Sequence, residues 1–373
     1  MPDGREVHRI VLGEAPGPVV QVITLGAAVH RLDVTGGDGR RRNVVLGHGT
    51  VADRLASSDY LGGTIGRYAN RIAGGRFRLG DLDVQLQTHD RGNSLHGGPD
   101  GFDRRLWEIV DVGDAHAHLR LVSPDGDMGF PGTVTASVHY RVEGGSVSLS
   151  LEATTDQPTL VNLTNHAYFN LDGEDAGTVD HHWLTVHADA YTPVDPSSIP
   201  TGGHEPVDGT PFDFRAPTTI GPAVRRRHPQ VEPARGVDHN FVIRGRGLRT
   251  AAVLESPGTG TRLEVSTDQP GLQVYTGNFL DGSRPSISGG LYRQGDGIAL
   301  EPQLFPDSPH HPEWPSALLE PGDRYVASMR WTFLSVGWSG PEAAATHLHG
   351  GEPAEDEQQE EAGHLERRES PEG

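Results

Sequence analysis

The sequence predicts an all-β protein, a sandwich or barrel of many short strands. Three observations carry this: apolar residues recur with a period of two, turn residues recur between the alternating runs, and no amphipathic helix of about twelve residues occurs before position 340. In chain order, Thr50–Ser57 reads as a short helical turn. Val134, Ala136, Val138, Tyr140 and Val142 alternate with mostly polar neighbours. Val147, Leu149, Leu151 and Ala153 do the same after Gly144-Gly145, which predicts a hairpin. Trp183–His187, Ala251–Glu255, Leu263–Ser266 and Tyr325–Phe333 repeat the pattern, and Ala223–Arg226 reads as a second helical turn. Turns are signalled at Gly36-Gly37-Asp38-Gly39, Pro124-Asp125-Gly126, Ser256-Pro257-Gly258 and Pro321-Gly322-Asp323.

Composition removes several function classes. The chain has 373 residues, 51 acidic against 31 basic, for a net charge of −20. That opposes a nucleic-acid binder, which needs a basic face, and a polybasic membrane-surface protein. With no cysteine, thiol catalysis, Cys-ligated zinc and disulfides are excluded, leaving His, Asp and Glu as the metal route, with 20 His present. Every basic residue is Arg, so a Walker-type phosphate loop with its Lys is excluded too. Gly and Pro, 50 and 28 residues, fit a fold with many tight turns. No apolar run has signal-peptide or transmembrane length, and the expected location is the cytoplasm. The composition shifts near Gly340: residues 341–373 hold ten acidic residues against two Arg and no aromatic. Such a segment cannot offset its ordering entropy, so residues 1–340 are expected as the folded domain and 341–373 as a disordered acidic tail.

Polar groups cluster inside five strand-like, Gly-flanked segments: Gly66–Ile72, Asn93–Gly98, Asn162–Asn170, Gly236–Phe241 and Gly297–Gln303. Glu301 ends the apolar run Ile298-Ala299-Leu300. A carboxylate there is either a desolvated base or a solvent-facing strand end. His166 lies among Asn162, Asn165, Asn170, Tyr168 and Phe169, amides and aromatics that would suit a sugar; a hydrogen-bonded structural His is the alternative. His96 precedes Gly97-Gly98, where a ligand could approach the backbone. Arg71 follows Asn70 and is grouped with Arg67 and Arg76; one could be a substrate fork and the others structural. Asp238-His239-Asn240 reads first as a turn. His181-His182 and His310-His311 are adjacent pairs, which on a strand point to opposite faces and chelate poorly.

Together these segments, with Pro270–Asn278, Phe305-Pro306-Asp307-Ser308-Pro309 and Pro200 to Phe214, resemble the aldose 1-epimerase (galactose mutarotase) family, in register from about residue 20 to 335. The resemblance implies a large antiparallel β-sandwich, of the galactose mutarotase-like supersandwich kind, with an open cleft on one sheet. It implies interconversion of the α and β anomers of free hexoses such as galactose and glucose, without cofactor or metal. Glu301 resembles the family's general base and His166 its general acid. Asn70, Arg71 and His96 resemble substrate-holding groups, Asp238 the carboxylate that anchors a ring hydroxyl, and Tyr168 and Gln273 further pocket members. The implied partner is a small-molecule aldose, with no nucleic acid and no membrane; the oligomeric state stays open. If acid and base act together, the pH–rate profile is a bell whose limbs belong to the coupled pair rather than to either residue alone, and His166→Asn should remove the alkaline limb. The family often has Asn where His310 stands, and residues 341–373 match nothing in it. Three rivals remain: a glycosidase using Glu301 and Asp238, a non-catalytic sugar-binding module, and a hexose-phosphate epimerase using Arg67, Arg71 and Arg76.

Overall fold

The structure, a computed structural model, describes Met1 and residues 3–337. The expected tail, 341–373, lies outside the described residues. Two large sheets dominate, and both are antiparallel throughout. The first has nine strands in the order 108–112, 116–123, 134–143, 146–155, 325–335, 261–267, 249–256, 183–186 and 218–219. The second has six, in the order 168–169, 298–303, 271–275, 238–243, 188–191 and 205–206. A four-stranded meander, Arg9–Leu12, Val19–Ile23, Ala28–Thr35 and Arg41–Asn43, adds a third layer edge that the alternation pattern did not single out.

The predicted hairpin forms between Val134–Glu143 and Ser146–Thr155. Its register sets Val142 against Val147, Tyr140 against Leu149 and Val138 against Leu151. Those apolar positions face inward and their neighbours face solvent, so the period of two is the cause of the fold here. One buried cluster joins Val138, Leu149, Leu151, Val265 and Trp331 of the nine-stranded sheet to Ile298, Leu300, Leu272, Val274 and Phe241 of the six-stranded sheet, which makes the two sheets a sandwich. Each fully buried Leu or Ile in it contributes about 1.5–3 kcal/mol relative to exposure.

Among the described residues, helix is confined to short turns. Val51–Ala56 is capped by the Thr50 hydroxyl, which accepts the Asp53 N–H at 3.1 Å; Ile220–Arg225 and Val231–Ala234 follow later, and the last was not predicted. Asp238–Ile243 is a strand rather than a turn: Asp238 pairs with Tyr275 and Asn240 with Gln273. Ladder partners on both sides override the local turn preference of Asp and Asn. No helix among the described residues is long and apolar enough to cross a membrane.

The six-stranded sheet differs in one respect that places the site. Residues Ile298–Gln303 are buried without interruption. Alternation sends Ile298 and Leu300 into the sandwich core, so Glu301 and Gln303 rise from the opposite face. Register then sets Gln273 beside Glu301, and Asn240 beside Gln273.

Candidate active site

On that opposite face lies a cleft of about 410 Å³. All eight residues singled out from sequence line it: Asn70, Arg71, His96, His166, Tyr168, Asp238, Gln273 and Glu301. The floor is Glu301, Gln273 and Asp238 from three strands, and the walls come from the connections that carry the others.

Glu301 is 1% exposed, and its Oε1 stands 3.5 Å from His166 Nε2. Its other oxygen is buried without a hydrogen-bond partner. Burial raises its pKa well above the ordinary carboxylate value, the Asp238 charge raises it further, and Arg71 opposes both. His166 is shifted the other way, down to about 4, chiefly by burial, against a backbone hydrogen bond and the Asp238 charge. Its backbone is fixed by a two-way exchange: His166 N–H donates to Gly63 O and Gly62 N–H to His166 O, each at 2.9 Å. Gly62 is required there, because with φ of +67° any Cβ would stand 1.9 Å from Val29 O.

Asn70 and His96 lock one another. Both hold left-handed backbones, φ 66° and 50°. His96 N–H donates to Asn70 O at 3.0 Å, and Asn70 N–H donates to His96 Nδ1 at 3.1 Å. The second bond occupies the Nδ1 lone pair, so neutral His96 carries its proton on Nε2 and is a donor in the cleft. Burial, with His166 and Arg71 nearby, pushes its pKa well below the ordinary imidazole value and keeps it neutral. His96, His166 and Glu301 lie close enough together to suggest a metal-ligand set. The occupied Nδ1 and protonated Nε2 leave His96 no free lone pair, so the three do not fit a metal ion. Arg71 is aimed by Asp90, whose Oδ2 accepts Nε at 2.7 Å. Gln273 Nε2 donates to Asp238 Oδ1 at 2.7 Å, holding that carboxylate over the floor.

Several sequence expectations need correcting. The amides around His166 do not face a ligand. Asn162 Nδ2 bonds Ala69 O and its Oδ1 takes Leu304 N–H; Asn165 Nδ2 bonds Gly62 O; Asn170 Nδ2 bonds Gly177 O and Asp296 O. They satisfy buried backbone beneath the site. Gly97-Gly98 do not clear space for a ligand either: a Cβ on Gly97 would sit 2.1 Å from Gly66 O, and one on Gly98 would meet Met128 at 2.9 Å. Arg67 is a buried strut that bonds Ser123 O, Pro124 O, Pro131 O and Ser123 Oγ, and Arg76 bonds Gln85. His182 Nε2 accepts Leu171 N–H, His310 bonds Asp307 and His311 stacks on Trp314; none of the three lines the cleft.

The structure adds Tyr60, Asp59, Asp90, Arg91, Tyr275 and Phe279 to the lining. Tyr275 lay in a quoted segment, but Tyr60 and Asp90 carry no local signal; they matter through contacts with residues far along the chain.

A buried carboxyl–imidazole pair on the open face of an antiparallel sandwich, ringed by hydrogen-bonding groups, defines a proton-transfer site for a small polar substrate. Comparisons with known proteins show the family. The sequence profile described as Aldose 1-epimerase matches residues 8–332. Mouse galactose mutarotase is 41% identical over 334 residues, covering 86% of this chain and 96% of the relative. The aldose 1-epimerase of Escherichia coli K12 is 40% identical over 339 residues, covering 90% and 97%. Among solved structures, galactose 1-epimerase from Lactobacillus acidophilus superposes with a TM-score of 0.79 at 31% identity, covering 90% of this chain and 96% of its own. A C. elegans aldose epimerase homologue gives 0.83 at 29% identity, covering 89% and 100%. The chain belongs to the aldose 1-epimerase family.

Proposed function

We propose that this protein interconverts the α and β anomers of free hexoses such as galactose and glucose, with Glu301 as general base and His166 as general acid. The observation that carries the assignment is the buried pair itself, two groups with opposed pKa shifts 3.5 Å apart on the cleft floor. Ring opening takes the C1 hydroxyl proton to Glu301 while His166 delivers a proton to the ring oxygen. The C1–O bond breaks and the aldehyde forms without a free alkoxide or oxonium. Rotation about C1–C2 presents the other carbonyl face. On closing, His166 recovers the proton from the attacking hydroxyl and Glu301 returns its own to the carbonyl oxygen. The pair holds one proton before and after ring opening, only on different atoms, so nothing is consumed. Burial favours the uncharged arrangement, Glu301 protonated and His166 neutral, which is the arrangement paired with the open aldehyde. His96 Nε2–H, Arg71, Asp238 held by Gln273, and Tyr168 supply the donors and acceptors that orient the sugar. The uncatalysed reaction already runs in water, so positioning plus proton transfer suffices.

The rivals fit less well. Arg67 and Arg76 are spent on internal contacts, and Asp59, Asp90, Asp238 and Glu301 face the cleft against Arg71 and Arg91, which disfavours a sugar phosphate. Glu301 and Asp238 rise from one sheet face with Gln273 between them, a shared floor rather than two carboxyls flanking a bond as a glycosidase needs. A free sugar, soluble acid–base chemistry and no cofactor are consistent with work in the cytoplasm. Polarimetry of freshly dissolved α-galactose, α-glucose and their 6-phosphates tests the reading. Faster mutarotation of the free sugars supports it, while acceleration confined to the phosphates, or none, overturns it.

A further inference from the structure

We propose that Tyr60 is a positioning residue for ring opening: its ring fixes the plane of the His166 imidazole and stabilises the positive charge that His166 carries when it acts as an acid. The proposal rests on the assignment of His166 above. Tyr60 stacks on His166 with ring centroids 5.7 Å apart and planes 28° apart, and it meets His96 edge-on at 4.6 Å. Tyr168, at 5.0 Å, and Tyr275, at 6.3 Å, complete an aromatic box around the same imidazole. The charged or titratable groups facing His166 are then Glu301 and Asp238 from the floor and His96 from the wall. His166 Nδ1 is buried with no hydrogen-bond partner. Beside Glu301, the Asp238 charge and a backbone hydrogen bond, the rings of Tyr60 and Tyr168 favour imidazolium over imidazole, because the faces of aromatic rings attract cations within about 6 Å.

The placement of Tyr60 is built in. Its φ is 57°, a left-handed backbone disfavoured for a side chain of this size, and Gly63 N–H donates to its carbonyl at 2.9 Å. Two and three residues on, Gly62 and Gly63 exchange the hydrogen bonds that hold the His166 backbone. Arg54 Nη1 ties Leu61 O at 2.6 Å and Arg104 Nη1 ties Ser57 O at 3.0 Å, so the loop is clamped on both sides of Tyr60. One backbone unit thus carries both rings in register. The Tyr60 hydroxyl makes no hydrogen bond to any described residue, so the ring, rather than the hydroxyl, is the part the fold employs.

The consequence is quantitative. The reactive arrangement, Glu301 ionised and His166 protonated, is a minor form of the pair that holds one proton. Weakening imidazolium by a given factor lowers its population by that factor, and lowers the plateau of kcat/KM equally. It also moves the limb set by His166 to lower pH by the logarithm of the same factor. Tyr60→Leu keeps bulk and removes the ring, and should lower the plateau roughly 3- to 30-fold with a matching limb displacement of about 0.5–1.5 pH. Tyr60→Phe should restore both. The test is the pH dependence of kcat/KM by polarimetry for wild type, Tyr60→Leu, Tyr60→Phe and His166→Asn. Alongside it, NMR titration of the His166 ring, assigned by its loss in His166→Asn, reads the charge directly, and Tyr60→Met replaces Tyr60→Leu should that variant not fold. A plateau loss with an undisplaced limb and unchanged His166 titration makes Tyr60 merely structural and overturns the proposal. Equal damage in Tyr60→Phe assigns the effect to the hydroxyl and also overturns it. A fully active His166→Asn removes the acid assignment and this inference with it; an inactive His166→Asn beside a normal Tyr60→Leu removes this inference alone.

Discussion

The two large sheets bury their residues in different ways. In the nine-stranded sheet, Val134–Glu143 alternates buried with half-buried or exposed positions along its length. In the six-stranded sheet, Ile298–Gln303 and most of Asp238–Ile243 and Gly271–Tyr275 are buried on both faces, one apolar and one holding Asp238, Gln273 and Glu301. The first is a folding surface with solvent behind it. The second gives up stability on its outer face, where Glu301 Oε2, Gln273 Oε1 and both side-chain polar atoms of Asn240 and Gln303 are buried without partners. A strand whose polar residues are buried opposite a packed core marks where binding and chemistry have taken precedence over stability.

The comparison can be broken first at Glu301. Glu301→Gln keeps shape and removes the proposed base, so turnover should fall on the order of 10²–10⁴. The same change should raise the melting temperature. Because the folded-state pKa of Glu301 lies above its unfolded value, its favourable contribution is present at low pH and is lost as pH rises through the folded value. The stability advantage of the Gln variant should therefore grow from acid to neutral pH; thermal scans at several pH values check it. Leu151→Ala, in the other sheet, is the converse. Leu151 is fully buried between Val138 and Ala327, and its truncation should cost about 2–5 kcal/mol in denaturant melts while the folded fraction turns over normally. The smallest effect belongs to residues 341–373: a chain ending at Gly340 should match the full chain in melting temperature and in rate. A large drop in melting temperature would show that the tail packs.

The same contrast explains what the sequence could and could not tell. Where apolar and polar letters alternate with the wet face, the period of two is legible, so the hairpin around Gly144-Gly145 and the last strand, over Tyr325–Phe333, are read directly, whereas the meander of Arg9–Leu12 and Val19–Ile23, with apolar residues on both faces, is not. Glu301 is readable for the opposite reason, a carboxylate closing an apolar run. What fails are properties fixed by distant partners. Asp238 became a strand residue because Tyr275 pairs with it. The Asn residues near His166 looked like sugar ligands but close backbone hydrogen bonds. Asp90 aims Arg71 from 19 positions away, and the donor state of His96 depends on the Asn70 backbone N–H; neither leaves a local pattern.

Burial also sets which titration governs each limb of the bell. With His166 lowered to about 4 and Glu301 raised, the acid limb follows His166 and the alkaline limb follows Glu301. On the acid side, the single-proton pair is lost when His166 takes a second proton. On the alkaline side, it is lost when Glu301 gives up the last one. The direct measurement is the pH profile of kcat/KM for α-galactose, by polarimetry, in wild type, His166→Asn and Glu301→Gln. The account predicts a bell in the wild type. His166→Asn, which needs only an ionised Glu301, should rise with pH where the wild-type alkaline limb lies and then stay level; Glu301→Gln, which needs only a protonated His166, should fall with pH where the wild-type acid limb lies; both variants should be greatly slowed. A His166→Asn profile that rises where the wild-type acid limb lies, rather than where the alkaline limb lies, would contradict the claim that the cleft holds its one proton on Glu301.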